Sequence, residues 1–144
     1  MLIRGCDFPE DRHYHPDFNV WLKEEASGVV LLGATSFGVA LAVEFVAFLP
    51  KALGAEIDAG RAVGLLEISK VMVSVRTPVK GRILGHNEAA VADPSLISND
   101  PYGAGWLLRL EVGAWDRQGL VTGDAIRAAF EDAMDLDNFT GMES

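Results

Sequence analysis

The stretch that decides the fold is VGLLEISKVMVSVRTPVKG, residues 63–81. Two apolar, strand-like runs flank Glu67-Ile68-Ser69-Lys70, and runs separated by two to four residues are typical of a β-hairpin. The pattern therefore predicts a hairpin with Lys70 at or beside its tip. A tip lysine is exposed, so an enzyme could reach its amine and a flexible arm attached there could swing. An ordinary solvated turn lysine explains the same residues, and spacing alone does not separate the two interpretations.

Short strand-like segments recur before this hairpin. Segments 18–22 and 29–32 are joined by the turn residues Ser27-Gly28, and EFVAFLP continues as a strand that Pro50 ends. Thr35 is a candidate N-cap for a short helix between them. Many short strands separated by turns predict a mainly β fold, an antiparallel sandwich or flattened barrel.

The second half of the chain holds a turn-rich stretch, a strand and a helix. DPSLISNDPYGAGW, residues 93–106, is dense in turn residues, and LLRLEV after it alternates as a strand does. Near the C-terminus, about 122–135, Thr122 or Asp124 could cap a helix. Its apolar face has helical spacing and consists of Ile126, Ala129, Phe130, Ala133 and Met134.

Length and composition indicate one soluble domain. The chain has 144 residues, of which 49% are hydrophobic, and its formal net charge is −9. An acidic chain is a poor partner for nucleic acid, because phosphate neutralisation needs clustered Lys and Arg. The apolar run at 39–49 is interrupted by Glu44 and is too short to span a bilayer. The N-terminus lacks the apolar segment of a signal peptide, so we expect a cytoplasmic protein.

The residues that most often carry chemistry are sparse. Cys6 is the single cysteine, which excludes an internal disulfide; we expect a small residue near a flexible end. His13 and His15 are predicted to lie on the surface near a mobile end, and His86 in a turn. None has metal-ligand spacing or a linked nucleophile, so we expect neither a metal site nor catalysis.

Three motifs, in order, resemble those of the glycine cleavage system H-protein family. Glu67 and Lys70 match the family's glutamate-x-x-lysine element, and Thr77-Pro78-Val79-Lys80-Gly81 matches the turn that follows it. NDPYGAGW, from Asn99 to Trp106, reproduces the end of the family's most recognisable block. The similarity extends from about Tyr14 to Val112.

The resemblance implies a lipoyl-domain-like hybrid barrel-sandwich with short helices and a C-terminal helix. It implies one carrier domain over residues 1–144, with a core at about 14–112. Lys70 would carry covalently bound lipoate, and Glu67 would be recognised by the lipoate-attaching enzyme. H-proteins are carriers rather than enzymes, and a carrier that shows its arm to several partners is expected to be a monomer.

Several positions depart from the family pattern near the carrier face. The usual histidine-glutamate-tryptophan of the first strand is Asn19-Val20-Trp21 here, and Val71, Met72 and Val73 replace smaller or acidic residues. The opening RGCDFP with NVW is similar to lipoate-binding proteins of heterodisulfide-reductase-like sulfur oxidation. We therefore expect a sulfur-carrying role with that complex, and the alternative is an H-protein that carries an aminomethyl group for the glycine cleavage enzymes.

Two further classes remain open. A degenerate barrel-sandwich could bind a partner and never be modified, and intact-mass measurement would separate it from a lipoyl carrier. Biotin carriers share the fold but centre their lysine between methionines. The neighbours of Lys70 are Ser69 and Val71, which disfavours biotin.

Overall fold

A computed structural model describes residues 1–141 of the chain, and within them it has eleven strands and four helices. The strands are β1 (Leu2–Ile3), β2 (Cys6–Asp7), β3 (His13–His15), β4 (Val20–Ala26), β5 (Val29–Ala34), β6 (Phe45–Pro50), β7 (Glu56–Ile57), β8 (Ala62–Ile68), β9 (Val71–Arg76), β10 (Gly81–His86) and β11 (Leu108–Glu111). The helices are α1 (Ser36–Ala42), α2 (Glu88–Ala92), α3 (Ser95–Asn99) and α4 (Ala125–Leu136).

Antiparallel sheets form most of the molecule, as the short strands predict. One sheet has the order β3-β4-β5-β11-β10-β7, a second has β6-β8-β9, and β1 pairs with β2. The two larger sheets share one apolar core, to which Leu32 and Leu110 contribute from the first and Phe48 and Leu66 from the second. No helix within residues 1–141 is long and apolar enough to cross a membrane.

The predicted turn at Ser27-Gly28 joins β4 to β5. Gly28 has a φ of +75°, and its carbonyl accepts a 2.8 Å hydrogen bond from the Val112 amide. A side chain at position 28 would adopt a strained φ and would lie 3.2 Å from the Gly113 Cα. β4 runs to Ala26 rather than ending at 22, because its polar end still pairs with β5.

Thr35 caps α1 as expected. Its Oγ1 accepts a 3.0 Å hydrogen bond from the Gly38 amide and donates to the Asn19 Oδ1 at 3.2 Å. The cap satisfies an otherwise unpaired amide of the first helical turn. It also ties the start of α1 to the residue that precedes β4, so that both lie beside the second sheet.

A second apolar cluster joins the two ends of the chain. The predicted apolar face of α4 is confirmed, with Ile126, Phe130 and Met134 fully buried. Cys6 is also fully buried in this cluster, so the prediction of a residue near a flexible end is wrong. Neither proposed N-cap side chain caps α4, since Asp124 makes no capping hydrogen bond and the Thr122 hydroxyl donates instead to the Arg12 carbonyl.

Two short helices, α2 just before the turn-rich stretch and α3 within it, are not indicated by turn propensity. Each is only five residues long, too short for apolar periodicity to distinguish it from a loop. Ala90 of α2 and Ile97 of α3 are buried in the main core. Tertiary packing therefore fixes these helices.

His13 and His15 lie in a paired strand rather than near a mobile end. β3 pairs with β4, and both imidazoles are half-buried. The His15 Nδ1 accepts a 3.2 Å hydrogen bond from the Phe18 amide, and its ring stacks on Phe18 at 3.9 Å. Burial lowers the pKa of both imidazoles from the ordinary value.

These two histidines are expected to make folding weaker below neutral pH. Their folded pKa values are depressed, so the unfolded chain binds more protons as the pH falls below about 6.5. Their contribution is therefore present above that pH and is lost on acidification. The free energy of unfolding, measured by urea at several pH values between 5 and 7, should rise with pH. The His13→Gln/His15→Gln variant should reduce this slope against pH. An unchanged slope in that variant would contradict the assignment.

Candidate functional site

The predicted hairpin is present and its turn is as short as a hairpin turn can be. β8 and β9 pair so that Ile68 lies opposite Val71, which leaves Ser69 and Lys70 as the two turn residues. Ser69 has a φ of +51°, and a positive φ at the first turn residue is typical of the type II′ turns that match strand twist. Lys70 is exposed at the tip.

The base of the hairpin is held by the Thr77–Gly81 motif. Thr77 is buried, and its Oγ1 both donates to the Val79 carbonyl at 2.6 Å and accepts from the Val79 amide at 3.2 Å. A Cβ at Gly81 would lie 3.1 Å from the Glu111 carbonyl, so a larger residue would disturb the neighbouring strand. The motif therefore fixes the position of the hairpin's base relative to the neighbouring strand.

Glu67 lies on the side of the hairpin that faces away from the core. It stands opposite Met72 on β9 and opposite Ala47 on β6, and it is half-buried. Within residues 1–141 neither Glu67 nor Lys70 takes part in an ion pair. The carboxylate and the amine are therefore both available to an approaching protein.

A groove of about 420 Å³ runs along the inner side of the hairpin. Ile68 and Val73 line one wall, while Phe18, Asn19 and Val20 line the other. Its charged lining residues are Asp17 and Arg76. Mostly apolar lining with few polar groups suits a small organic group. The groove brings together the hairpin and the Asn19-Val20 positions that depart from the family pattern.

The conspicuous NDPYGAGW block is structural. The Tyr102 hydroxyl donates to the Asp7 carbonyl at 2.6 Å and accepts from the Ser36 amide at 2.9 Å. The Trp21 indole donates to the Pro101 carbonyl at 3.1 Å. The block thus joins the N-terminal hairpin, α1 and β4. Two backbone groups therefore use the Tyr102 hydroxyl.

Titratable groups away from the hairpin serve packing. Burial raises the pKa of Tyr14, Tyr102 and Cys6, so at neutral pH all three are uncharged. Hydrogen bonds from Lys23 and Arg12 lower the pKa of the Asp11 carboxyl. Within residues 1–141 no group of three or more side chains has the arrangement of a metal site. The accessible reactive group at the tip of the hairpin is the Lys70 amine.

Comparison with known proteins agrees with this geometry. The family model for the glycine cleavage H-protein matches residues 12–133. The chain is 37% identical to glycine cleavage system H protein 5 of Aquifex aeolicus over 131 residues, which cover 88% of each chain. It is 31% identical to probable glycine cleavage system H protein 2 of Sulfolobus acidocaldarius, over 78% of this chain and 76% of the relative.

A solved structure has the same fold. The crystal structure of a glycine cleavage system H protein from Mycobacterium marinum superposes with a TM-score of 0.73 and 29% sequence identity. The match covers 91% of this chain and 99% of that one. The expected H-protein fold is thereby confirmed.

The fold, the motif order and these relatives define a class of non-catalytic carrier proteins. The chain belongs to the glycine cleavage H-protein family. Members of this family carry lipoate bound covalently to a lysine.

Sequence reasoning missed one group of residues at this site. Lys51, Arg61 and Arg76 come together at the base of the hairpin's outer side, where they line a second groove. They are isolated from one another in the sequence, so no charge run marked them. Only the strand register, which places Arg76 opposite Ala62, shows that they are neighbours.

Proposed function

We propose that Lys70 carries lipoate in amide linkage and that the chain is an H-protein serving the enzymes of glycine cleavage. The observation that carries the proposal is the placement of Lys70 at the two-residue tip of β8–β9, with Glu67 three residues before it. The names of the related proteins support the glycine cleavage role over sulfur oxidation. That assignment replaces the sulfur-carrying role that the N-terminal sequence indicates.

The hairpin gives the arm what a carrier needs. Amide formation at Lys70 removes its positive charge and attaches a flexible chain that ends in a dithiolane. The dithiolane supplies redox and group-transfer chemistry, whereas the protein supplies tethering. Tethering raises the concentration of the reactive group at a docked enzyme without any new contact.

The groove beside the hairpin could receive part of the loaded arm. Its volume of about 420 Å³ lies within the range of small-molecule sites. Val20 lines it at the position where the family pattern has a glutamate. A protonated amine would lack that acidic partner here, and Asp17 is the acid that the lining retains. This difference is the one structural observation that favours a neutral cargo, such as sulfur, as the second candidate.

Loading followed by turnover tests the function in two stages. The purified chain is incubated with a lipoate ligase, ATP and lipoate, and its intact mass is expected to rise by one lipoyl group. The loaded protein is then combined with glycine decarboxylase, and glycine-dependent release of CO2 is expected. Absence of loading with every lipoylating system tried would refute the carrier role. Loading without glycine-dependent turnover would refute the glycine cleavage role and favour the sulfur-carrying alternative.

Glu67 is expected to matter for attachment of the arm. In the Glu67→Gln variant we expect kcat/KM for lipoylation to fall by a factor of about 10–150, because a hydrogen bond to a charged group contributes about 1.5–3 kcal/mol. The matched control is Glu10→Gln, which removes an exposed carboxylate from the N-terminal segment, outside the linings of both grooves. Equal rates for both variants would show that Glu67 has no recognition role.

A further inference from the structure

The three-stranded sheet has an outer face that no described segment covers. Strand register places Leu49, Leu65 and Ser74 in one row, and Ala47, Glu67 and Met72 in the next row towards the tip. We refer to these six residues as the outer face. Directly opposed residues share one side of a sheet, so both rows project to the same side, away from Phe48 and Leu66 in the core.

The outer face is unusually apolar for a solvent-exposed surface. Leu49 is 52% exposed, Met72 44% and Leu65 37%. These side chains are adjacent in the register rather than scattered. Contiguous exposed apolar side chains rimmed by polar groups mark protein interaction surfaces. The face is continuous with the carrier site, because Glu67 belongs to it and Lys70 follows on the same hairpin.

Positive charge borders this face at its base. Lys51, Arg61 and Arg76 line a groove of about 390 Å³, here called the basic groove, and Ser74 of the outer face also lines it. Within residues 1–141 none of these three cations makes an ion pair. Glu56 and Asp58 are the acids in the lining.

The surroundings make this charge distinctive. Residues 51–81 contain five Lys and Arg and three acids, a net charge of +2. The rest of the chain contains seven Lys and Arg and eighteen acids, a net charge of −11. The protein is strongly acidic. The positive charge that makes no ion pair within residues 1–141 lies beside the carrier hairpin. Such an asymmetry favours a partner with acidic groups at the matching edge of its surface.

We propose that the outer face is the docking surface for the lipoate-attaching enzyme, whose acidic residues enter the basic groove. The inference rests on the proposed function, since it presumes that Lys70 is modified. Apolar contacts with Leu49, Leu65 and Met72 supply the centre of the interface, and the cations supply its charged rim. From Lys70 to Arg76 is six residues of strand, about 20 Å, a span that a standard interface covers.

A second copy of the chain fits this surface poorly. A symmetric pair whose two-fold axis passes near the basic groove would bring two such grooves together, and like charges repel. A head-to-tail contact would place an acidic surface in the groove but would form a ring or an open chain of copies rather than a closed pair. A separate acidic protein satisfies the surface without either difficulty.

The test compares lipoylation kinetics of the full chain at 25 and 300 mM salt. For Arg61→Glu/Arg76→Glu we expect KM to rise at least tenfold at low salt with kcat within twofold of wild type. For Leu49→Asp we expect KM to rise at least fivefold at both salt concentrations. The wild-type KM should itself increase with salt, because screening weakens the charged contacts. The matched control Lys23→Glu/Arg127→Glu makes the same change in total charge on β4 and α4 and should leave KM within twofold.

The possible outcomes distinguish failure of the docking surface from failure of the proposed function. An unchanged KM in Arg61→Glu/Arg76→Glu, with wild-type chain still lipoylated, overturns the docking surface and leaves the proposed function intact. Absence of lipoylation in the wild type overturns the proposed function instead. Sedimentation that shows self-association abolished by the same variant, without any change in KM, would assign the face to a second copy and overturn the proposal. Circular dichroism of each variant verifies folding.

Discussion

The Lys70→Arg variant is expected to lose lipoylation completely and, with it, all carrier turnover. A guanidinium stays protonated at neutral pH and does not provide the neutral amine that amide formation needs. The substitution keeps the positive charge, and the side chain is exposed in a two-residue turn. Folding stability should therefore change by no more than about 0.5 kcal/mol. Intact mass after incubation with ligase, followed by urea unfolding, measures both quantities.

Lys80→Arg is the matched control for this substitution. Lys80 is also exposed, and it lies ten positions further along the chain, at the base of the hairpin. This control should load lipoate at the wild-type rate. A lipoyl mass gain retained in Lys70→Arg and lost in Lys80→Arg would place the arm at the wrong end of the hairpin and refute the assignment.

Gly105→Ala is expected to destabilise the protein by about 3 kcal/mol, the largest stability effect that we predict. A Cβ at this buried position would overlap the Leu96 carbonyl oxygen and would lie 2.7 Å from the Asp100 carbonyl oxygen and 2.8 Å from the Ile97 Cα. All three are backbone atoms, so no side-chain rotation relieves the overlap. The melting temperature should fall by roughly 6–12 °C, which calorimetry measures.

Gly85→Ala provides the comparison. A Cβ there would meet the Arg109 Nη1 at 3.3 Å, and Nη1 is the far end of a flexible side chain that can move aside. The cost should remain below about 1 kcal/mol. Equal losses in the two variants would refute backbone overlap as the cause, because restricting a glycine in the unfolded chain by itself stabilises the fold. Gly105→Ala should still load lipoate at a temperature where it is folded, since the block is not part of the arm site.

The predictable part of the fold was the part whose signals are local. The hairpin tip, the Ser27-Gly28 turn and the Thr35 cap each depend on a few adjacent residues, and each is present. The apolar face of α4 follows from its spacing. The helices α2 and α3 were missed because long-range packing, rather than propensity, holds so short a segment. Cys6 was placed wrongly because its burial depends on α4, which lies more than a hundred residues away.

The same distinction between local signals and long-range packing applies to the functional site. Lys70 and Glu67 could be predicted because they stand three residues apart within one recognisable motif. The grooves on either side of the hairpin could not, because their walls come from distant segments of the chain. Val20 reaches the hairpin through the packing of two sheets, and Lys51 joins Arg76 only through strand pairing. Proximity of this kind requires the tertiary structure.

The brevity of the Ser69-Lys70 turn has a mechanical consequence. Strand pairing fixes both residues that flank the turn. The attachment point of the arm is therefore nearly stationary, and the end of the arm stays within one arm's length of it. A longer, flexible loop would let the pivot wander and would spread the dithiolane over a larger volume. Effective concentration falls roughly as the −3/2 power of tether length. A shorter turn therefore keeps the effective concentration of the cargo higher at the enzyme that receives it.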